Sequence, residues 1–333
     1  MKTKSVRLSE FNKPLLIEET EINPPSVNMV TVKVHFAGIN FYEKLLIEGK
    51  YPTNSVLPFT IGGEFSGEIV EVGEGITDFK VGDRVFSLAL TGKGTSGGFA
   101  QYANIETKYL YRLPEEFSFE QGAAIPMIFF TAYTMLSKKV QMKDGQTVLI
   151  HSAAGGVGST LVKLIKAMYP KTKIIGTYSS LEKEKVLKGL GVDFPINGET
   201  DNLSAEIKKI FPEGIDVIFD AVGQKLVSEH LDLIKPLNGI WCTYGAYSGP
   251  IVEENLVGKL RSKNATLAGF LMWPLIENKD FCQKQFTEIF EVMKKYNILP
   301  EIDKIFPLEQ VNEAFERISQ RKNIGKVLLS ALD

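Results

Sequence analysis

The sequence predicts an α/β protein in two parts: a β-rich region, then a parallel sheet covered by helices. Three observations carry that reading. Short alternating strands with Gly, Pro and Asp between them fill residues 1 to about 120, and from about 121 strand-like runs alternate with helical ones. Midway, the β-branched run Val148-Leu149-Ile150 ends in Ala153-Ala154-Gly155-Gly156-Val157-Gly158, after which helical periodicity begins. Strands separated by helices of this length are βαβ units, which build a parallel sheet. With 333 residues the chain exceeds what one core usually accommodates, so two domains are expected.

The elements follow in order. Val30 to Phe36 alternates strictly, as a half-buried strand does, and Glu68 to Val72 repeats the pattern before Gly73-Glu74-Gly75. Arg84 to Leu88 follows the turn at Gly82-Asp83, and Gly97 to Ala103 begins another strand. Such punctuation suggests a barrel-like all-β region. In the second part, helices are expected at Gln121 to Leu136, Gly158 to Tyr169, Leu181 to Gly189 and Gln224 to Ile234. Strands are expected at Lys173 to Thr177, Gly214 to Asp220 and Gly239 to Tyr244. The last segment reads as a helix from Phe281 to Tyr296, a turn at Ile305 to Leu308, a short helix from Gln310 to Ser319 and a closing strand from Gly325 to Leu329.

Composition narrows the function. Hydrophobic residues at 44% and charged residues at 23% describe an ordinary soluble protein, and a net charge of −2 offers no attraction to nucleic acid or an anionic membrane. Cys242 and Cys282 make no disulfide framework, so a reducing compartment is expected. The N-terminal residues carry no apolar signal core. The longest apolar stretch, Ala123 to Leu136, is interrupted by Pro126 and falls short of the ~20 residues that span a bilayer. A cytoplasmic location follows as an expectation.

Taken together, several motifs resemble the medium-chain dehydrogenase/reductase superfamily, and within it the zinc-free quinone oxidoreductase branch that includes zeta-crystallin. They are Gly38-Ile39-Asn40-Phe41, Gly49-Lys50-Tyr51-Pro52, Pro58 to Gly67, Gly82-Asp83-Arg84-Val85, Gly122-Ala123-Ala124, Thr131-Ala132-Tyr133, Ala153 to Gly158, Gly245 and Gly325-Lys326-Val327. Their order and spacing cover nearly the whole chain. The resemblance implies a Rossmann doubly wound parallel sheet inserted in a GroES-like irregular β-barrel domain. Residues 1–122 and 271–333 would form the barrel domain and 123–270 the NADP-binding domain. It also implies a homodimer or homotetramer, with Asn264 to Gly269 as the candidate joining edge.

The glycine turn fits a dinucleotide pyrophosphate, because its backbone permits close approach and a helix N-terminus follows. Ala154, Gly155, Gly156, Val157 and Gly158 are its candidate contacts. The end of the next strand separates NAD from NADP. An acid there would bind both ribose hydroxyls. Here Tyr178-Ser179-Ser180 comes before any carboxylate, and Lys183 supplies a cation. Hydroxyls and a cation suit a 2′-phosphate that an acid would repel. Ser179 and Lys183 align with phosphate-binding positions of the branch. On residue type alone Lys183 is equally a solvated helix charge, so the missing acid carries more of the argument. Gly198 departs from relatives that place an aromatic residue near the phosphate. NADPH is the expected cofactor, with Thr131, Gly245, Phe270, Leu271 and Lys326 as further contacts implied by the resemblance; for Phe270 and Leu271, plain packing is the competing reading.

Zinc relatives hold a metal with Cys and His, but here the corresponding stretches read Ala37-Gly38-Ile39-Asn40 and Gly62-Gly63-Glu64, and no metal is expected. His35, His151 and His230 are scattered without ligand spacing. Glu64 then reads as a structurally hydrogen-bonded carboxylate. Without a Lewis acid, an acceptor that delocalises its own charge is favoured, a quinone first, then a 2-enal, enone or enoyl thioester. Tyr51 matches a tyrosine that related enoyl-thioester reductases use as proton donor, and Asn40 aligns with an asparagine near the nicotinamide ribose. These two are the candidate catalytic residues; a second tyrosine of some relatives corresponds to Leu45. Lys44, Lys50 and Lys93 could serve a thioester's phosphates. A non-enzymatic NADPH-binding protein is the remaining alternative.

Overall fold

The computed structural model describes residues 1–51, 56–199 and 202–332. Contacts divide the chain into two units. One comprises Met1–Ile128, Trp273–Glu288 and Leu299–Asp333; the other comprises Phe129–Met272 and Ile289–Ile298.

The first unit is built on the long strand Met29–Ile39, whose β-branched residues Val30, Val32 and Val34 are buried. It pairs antiparallel with Phe65–Val72, with Tyr102–Glu106 and with Lys326–Ser330. Register shifts against Phe65–Val72, between Thr31 and Val32 and between Val34 and Phe36, mark bulges that curve the sheet. Arg84–Ser87 and Leu110–Arg112 extend the sheet on one side and Ile302–Pro307 on the other. A smaller sheet joins Leu16–Glu21, Lys2–Leu8 and Phe59–Thr60. The strand expected from Gly97 begins later, at Tyr102. The closing strand pairs Val327 with Ile39 and Leu328 with Gly38, which sets Lys326 beside the residues that follow Ile39.

One expectation is corrected. Ile305 to Leu308 is not simply a turn, because Ile302–Pro307 is a strand parallel to Lys326–Ser330. Its polar residues and terminal proline suit an edge strand, where one face meets water and a missing N–H is harmless.

The second unit holds a parallel sheet in the order Phe194–Asn197, Lys173–Tyr178, Thr147–Ile150, Val217–Asp220, Ile240–Thr243, Thr266–Gly269. Counted in chain order from Thr147 this is 3-2-1-4-5-6, the doubly wound arrangement, with the switch point between Thr147–Ile150 and Val217–Asp220. The α/β architecture read from the sequence is the one observed. The interiors of the central strands are apolar because both faces are covered: Leu149, Ile175, Ile218 and Trp241 are fully buried in one cluster. Trp241 is tolerated there because its Nε1–H finds the carboxylate of Asp220 at 3.1 Å.

Ile218→Ala in this cluster is expected to cost about 2–5 kcal/mol, measured as a lowered urea midpoint; a change near zero would show that the core is not packed as described.

Candidate functional site

In the second unit the strand Thr147–Ile150 runs through the turn into the helix Gly156–Met168. Ser152 takes the left-handed conformation at φ +53°, which turns the chain sharply for a residue that carries a side chain. Gly158 must lack one: a Cβ there would lie 2.4 Å from Ser152 O and 2.7 Å from Ala153 Cα. Gly155 is the N-cap and offers no side-chain oxygen to the first helical turn. Among the described residues no side chain therefore caps the helix at Gly156, Val157 and Gly158, and Gly155, Gly156 and Val157 are partly exposed. Ala154 beside them is buried. A glycine-rich turn that opens a helix without a side-chain cap fits an anionic pyrophosphate.

The neighbouring strand Lys173–Tyr178 leads to Ser179 and Ser180, both exposed, and then to the helix Leu181–Gly189. Ser180 caps that helix, its Oγ accepting the Lys183 backbone N–H at 3.4 Å, so Lys183 sits in the first turn, half-buried. No carboxylate ends this strand. Gly198 lies nearby, its N–H donating to Tyr178 O at 2.8 Å. Gly245 follows Ile240–Thr243, where a Cβ would lie 2.8 Å from Ala221 O. Phe270 is buried while Leu271 is 58% exposed, and Thr131 is buried on the helix Phe119–Thr134.

The first unit gathers a different set. Lys326, 3% exposed, donates to Asn40 Oδ1 and Glu64 Oε2, both at 2.5 Å. Asn40 Nδ2 donates to the same Glu64 oxygen at 2.9 Å. Glu64 Oε1 accepts the Met127 N–H at 2.6 Å. Glu64 is thus a hydrogen-bonded carboxylate paired with a buried ammonium. Beside it Glu43, fully buried, accepts from Asn40 N at 2.9 Å, Gly63 N at 3.3 Å and Tyr42 Oη at 3.2 Å. Burial pushes the Glu43 carboxyl up to about 7, against the pull of the Asn40 N–H and the Lys326 ammonium.

This cluster does not suit a metal. Among the described residues no group of three or more His, Cys, Asp or Glu is placed to hold one. A histidine at position 63 would put its Cβ 2.2 Å from Ala89 O. The Lys326 ammonium also lies against Glu64, where a cation would be repelled.

Tyr51 stands in an aromatic group that sequence reasoning missed. Its ring lies 5.5 Å from Tyr42 and 6.5 Å from Trp273, and Tyr42 and Trp273 are 4.8 Å apart. Trp273 Nε1 donates to the Tyr51 hydroxyl. Indole nitrogen is only a donor, so the Tyr51 proton remains available for donation. Burial raises the Tyr51 pKa, opposed by the Trp273 hydrogen bond. Pro52, next in its motif, lies outside the described residues. The structure therefore brings Asn40 together with Lys326, and Tyr51 together with Tyr42 and with Trp273, which is distant in sequence. It also joins His151 and His230, read as scattered, at 2.9 Å between their Nε2 atoms.

Two outcomes follow. Between about pH 4.5 and 7 the folded chain keeps a proton on Glu43 that the unfolded chain has lost. The stability tied to that proton is complete below the unfolded value and is lost as pH rises through about 7. Glu43→Gln should flatten this slope in urea titrations run from about pH 5 to 8; an unchanged slope would refute it. Lys326→Met leaves Glu64 buried without its cation and is expected to cost about 3–5 kcal/mol. A melting temperature equal to that of the wild type would contradict this.

Comparison with known proteins places the chain in a family. A family model described as the alcohol dehydrogenase GroES-like domain matches residues 26–115, and one described as zinc-binding dehydrogenase matches 190–329. The chain is 34% identical over 334 residues to the quinone oxidoreductase-like protein 2 homolog of Nematostella vectensis, covering 98% of this chain and 88% of that one. It is 33% identical over 337 residues to the synaptic vesicle membrane protein VAT-1 homolog of Rattus norvegicus, covering 96% and 81%. Among the described residues no helix is long and apolar enough to cross a membrane. Of solved structures, the Escherichia coli quinone oxidoreductase complexed with NADPH matches with a TM-score of 0.89 at 27% identity, over 98% of this chain and 99% of that one. With both halves matched in one chain order, this chain belongs to the quinone oxidoreductase branch of the medium-chain dehydrogenase/reductase superfamily.

Proposed function

We propose that this protein is an NADPH-dependent reductase that passes a hydride to a quinone without a metal. The observation that carries the reading is the pairing of two features. One is an uncapped glycine turn beside a strand end without an acid; the other is Gly63, closed to a histidine. The NADPH complex of the Escherichia coli relative supports the cofactor, and the name of the Nematostella relative supports the substrate class.

The chain's own residues divide the work. The N–H groups of Gly156, Val157 and Gly158 bind the pyrophosphate, with Ala154, Gly155 and Gly245 keeping side chains clear of it. Ser179 and Lys183 take the 2′-phosphate. Thr131, Phe270 and Leu271 stand on the nicotinamide side. When bound, NADPH supplies the hydride. A quinone spreads the resulting charge over its ring, so the protein need only orient a flat acceptor and provide one proton. Tyr42, Tyr51 and Trp273 offer aromatic faces for such an acceptor, and Tyr51 Oη holds the transferable proton. Asn40 and Lys326, bound to one another, hold the end of the strand Met29–Ile39 in place.

A coenzyme A thioester is less favoured. Lys44 and Lys50 share Glu48, and Lys93 pairs with Glu277 at 2.6 Å, so part of their charge is answered locally. A second copy of the chain would pair at the open sheet edge Thr266–Gly269, where Leu267 is exposed.

Purified protein given NADPH or NADH with 1,4-naphthoquinone, an enone or an enoyl thioester tests the reading. Oxidation of NADPH in preference to NADH, fastest with the quinone, is expected. Lys183→Ala should raise the KM for NADPH about tenfold and leave that for NADH alone. Tyr51→Phe should lower kcat at least about tenfold. Binding of NADPH with no turnover on any acceptor would leave a binding protein instead.

A further inference from the structure

Behind the glycine turn lies a line of buried polar groups that the reaction does not use. Asp220, at the end of its strand, accepts the N–H groups of Val222 at 2.7 Å and Gly223 at 3.0 Å, and Trp241 Nε1–H at 3.1 Å. His230 Nδ1 faces Asp220 Oδ2 at 3.7 Å, beyond hydrogen-bond reach, and makes no hydrogen bond among the described residues. His230 Nε2 meets His151 Nε2 at 2.9 Å, and His151 Nδ1 meets Thr177 Oγ1 at 3.4 Å. Thr177 Oγ1 in turn accepts the Ser152 backbone N–H at 3.1 Å, and Ser152 is the left-handed residue of the turn.

The direction of this line follows from the protons available. Both imidazoles are fully buried and burial holds them neutral, with His151 lowered to about 3, so each carries one proton. A bare His230 Nδ1 would set a lone pair against the Asp220 carboxylate, so that nitrogen carries the hydrogen and Nε2 is the acceptor. His151 must then donate from Nε2, which leaves its Nδ1 bare. Thr177 donates to that nitrogen, and one of its two lone pairs accepts the Ser152 N–H.

We propose that His230, His151 and Thr177 form a one-way hydrogen-bond chain that positions the dinucleotide turn, its direction set by the Asp220 carboxylate facing His230, with His151 and His230 as its positioning residues. The chain ends on an amide N–H, which cannot pass a proton onward, so it orients and does not conduct. By holding the Ser152 N–H inward it fixes the left-handed turn and keeps the donors of Gly156, Val157 and Gly158 on the open side. Its role rests on the NADPH reading of the turn.

Two variants and one spectrum test it. His230→Leu fills the space but cannot accept from His151, whereas His230→Gln offers a carbonyl to His151 and an amide N–H to Asp220. Leu should raise the NADPH Kd and KM about tenfold with kcat within about twofold, and Gln should restore both. Long-range proton–nitrogen spectra of the cofactor-free wild type should show the Nε2–H tautomer at His151 and the Nδ1–H tautomer at His230. Unchanged affinity in the Leu variant, equal loss in both variants, or reversed tautomers would overturn the proposal. A wild type that shows these tautomers yet binds no NADPH would sink the cofactor reading and the positioning role with it. Reversed tautomers in a protein that does bind NADPH would sink the hydrogen-bond chain alone.

Discussion

The first unit depends on one buried carboxylate. Glu64 has two oxygens, and three segments of the chain besides its own spend their donors on them: Asn40, Met127 and Lys326. Each donor has a reason to be there. Pro126 lies inside the helix Phe119–Thr134 and cannot donate, and its ring disturbs the preceding turn. The next N–H, that of Met127, is taken by Glu64 rather than left unmet. Gly38 makes room, since a Cβ there would lie 2.7 Å from both Glu64 and Lys326. Removing any partner would strand a charge or a donor out of water, so the set persists as a whole.

Asp220 plays the corresponding part in the second unit. It too is fully buried and takes backbone N–H groups, together with the indole of Trp241. Neither carboxylate is assigned a contact with substrate. Glu64 immediately precedes the strand Phe65–Val72 and Asp220 ends the strand Val217–Asp220, positions where backbone donors would otherwise be left without partners. The groups assigned to chemistry or to the cofactor, Tyr51, Ser179, Lys183 and the N–H groups of the glycine turn, are distinct from these two anchors. Within each unit, buried hydrogen-bonded side chains of this kind are what fixes the backbone around more exposed groups.

Much of this was legible because it depends on local backbone chemistry. The glycine turn is written in consecutive residues, and Gly158 is required by the close approach of Ser152 O. The lack of an acid after Lys173–Tyr178 is a local fact as well. Gly63 read as the loss of a histidine, and the structure adds that no side chain fits there. Trp273 was not legible beside Tyr51, because 222 residues separate them. Nor was the strand Ile302–Pro307, whose exposed residues give an edge strand little hydrophobic pattern.

The sequence alone determined the fold class, the strand–turn–helix of the dinucleotide site and the residue types on offer for a cofactor phosphate. It could do so because alternation, helical period and glycine conformation act over a few neighbouring residues. Tertiary structure alone decided that Lys326 closes on Asn40 and Glu64, and that His151 and His230, 79 residues apart, share one hydrogen bond. The first follows from the register of Lys326–Ser330 on Met29–Ile39, the second from how the helix Val227–Leu233 packs beside the end of Thr147–Ile150. Register is set by the packing of whole faces, which no short stretch of sequence records.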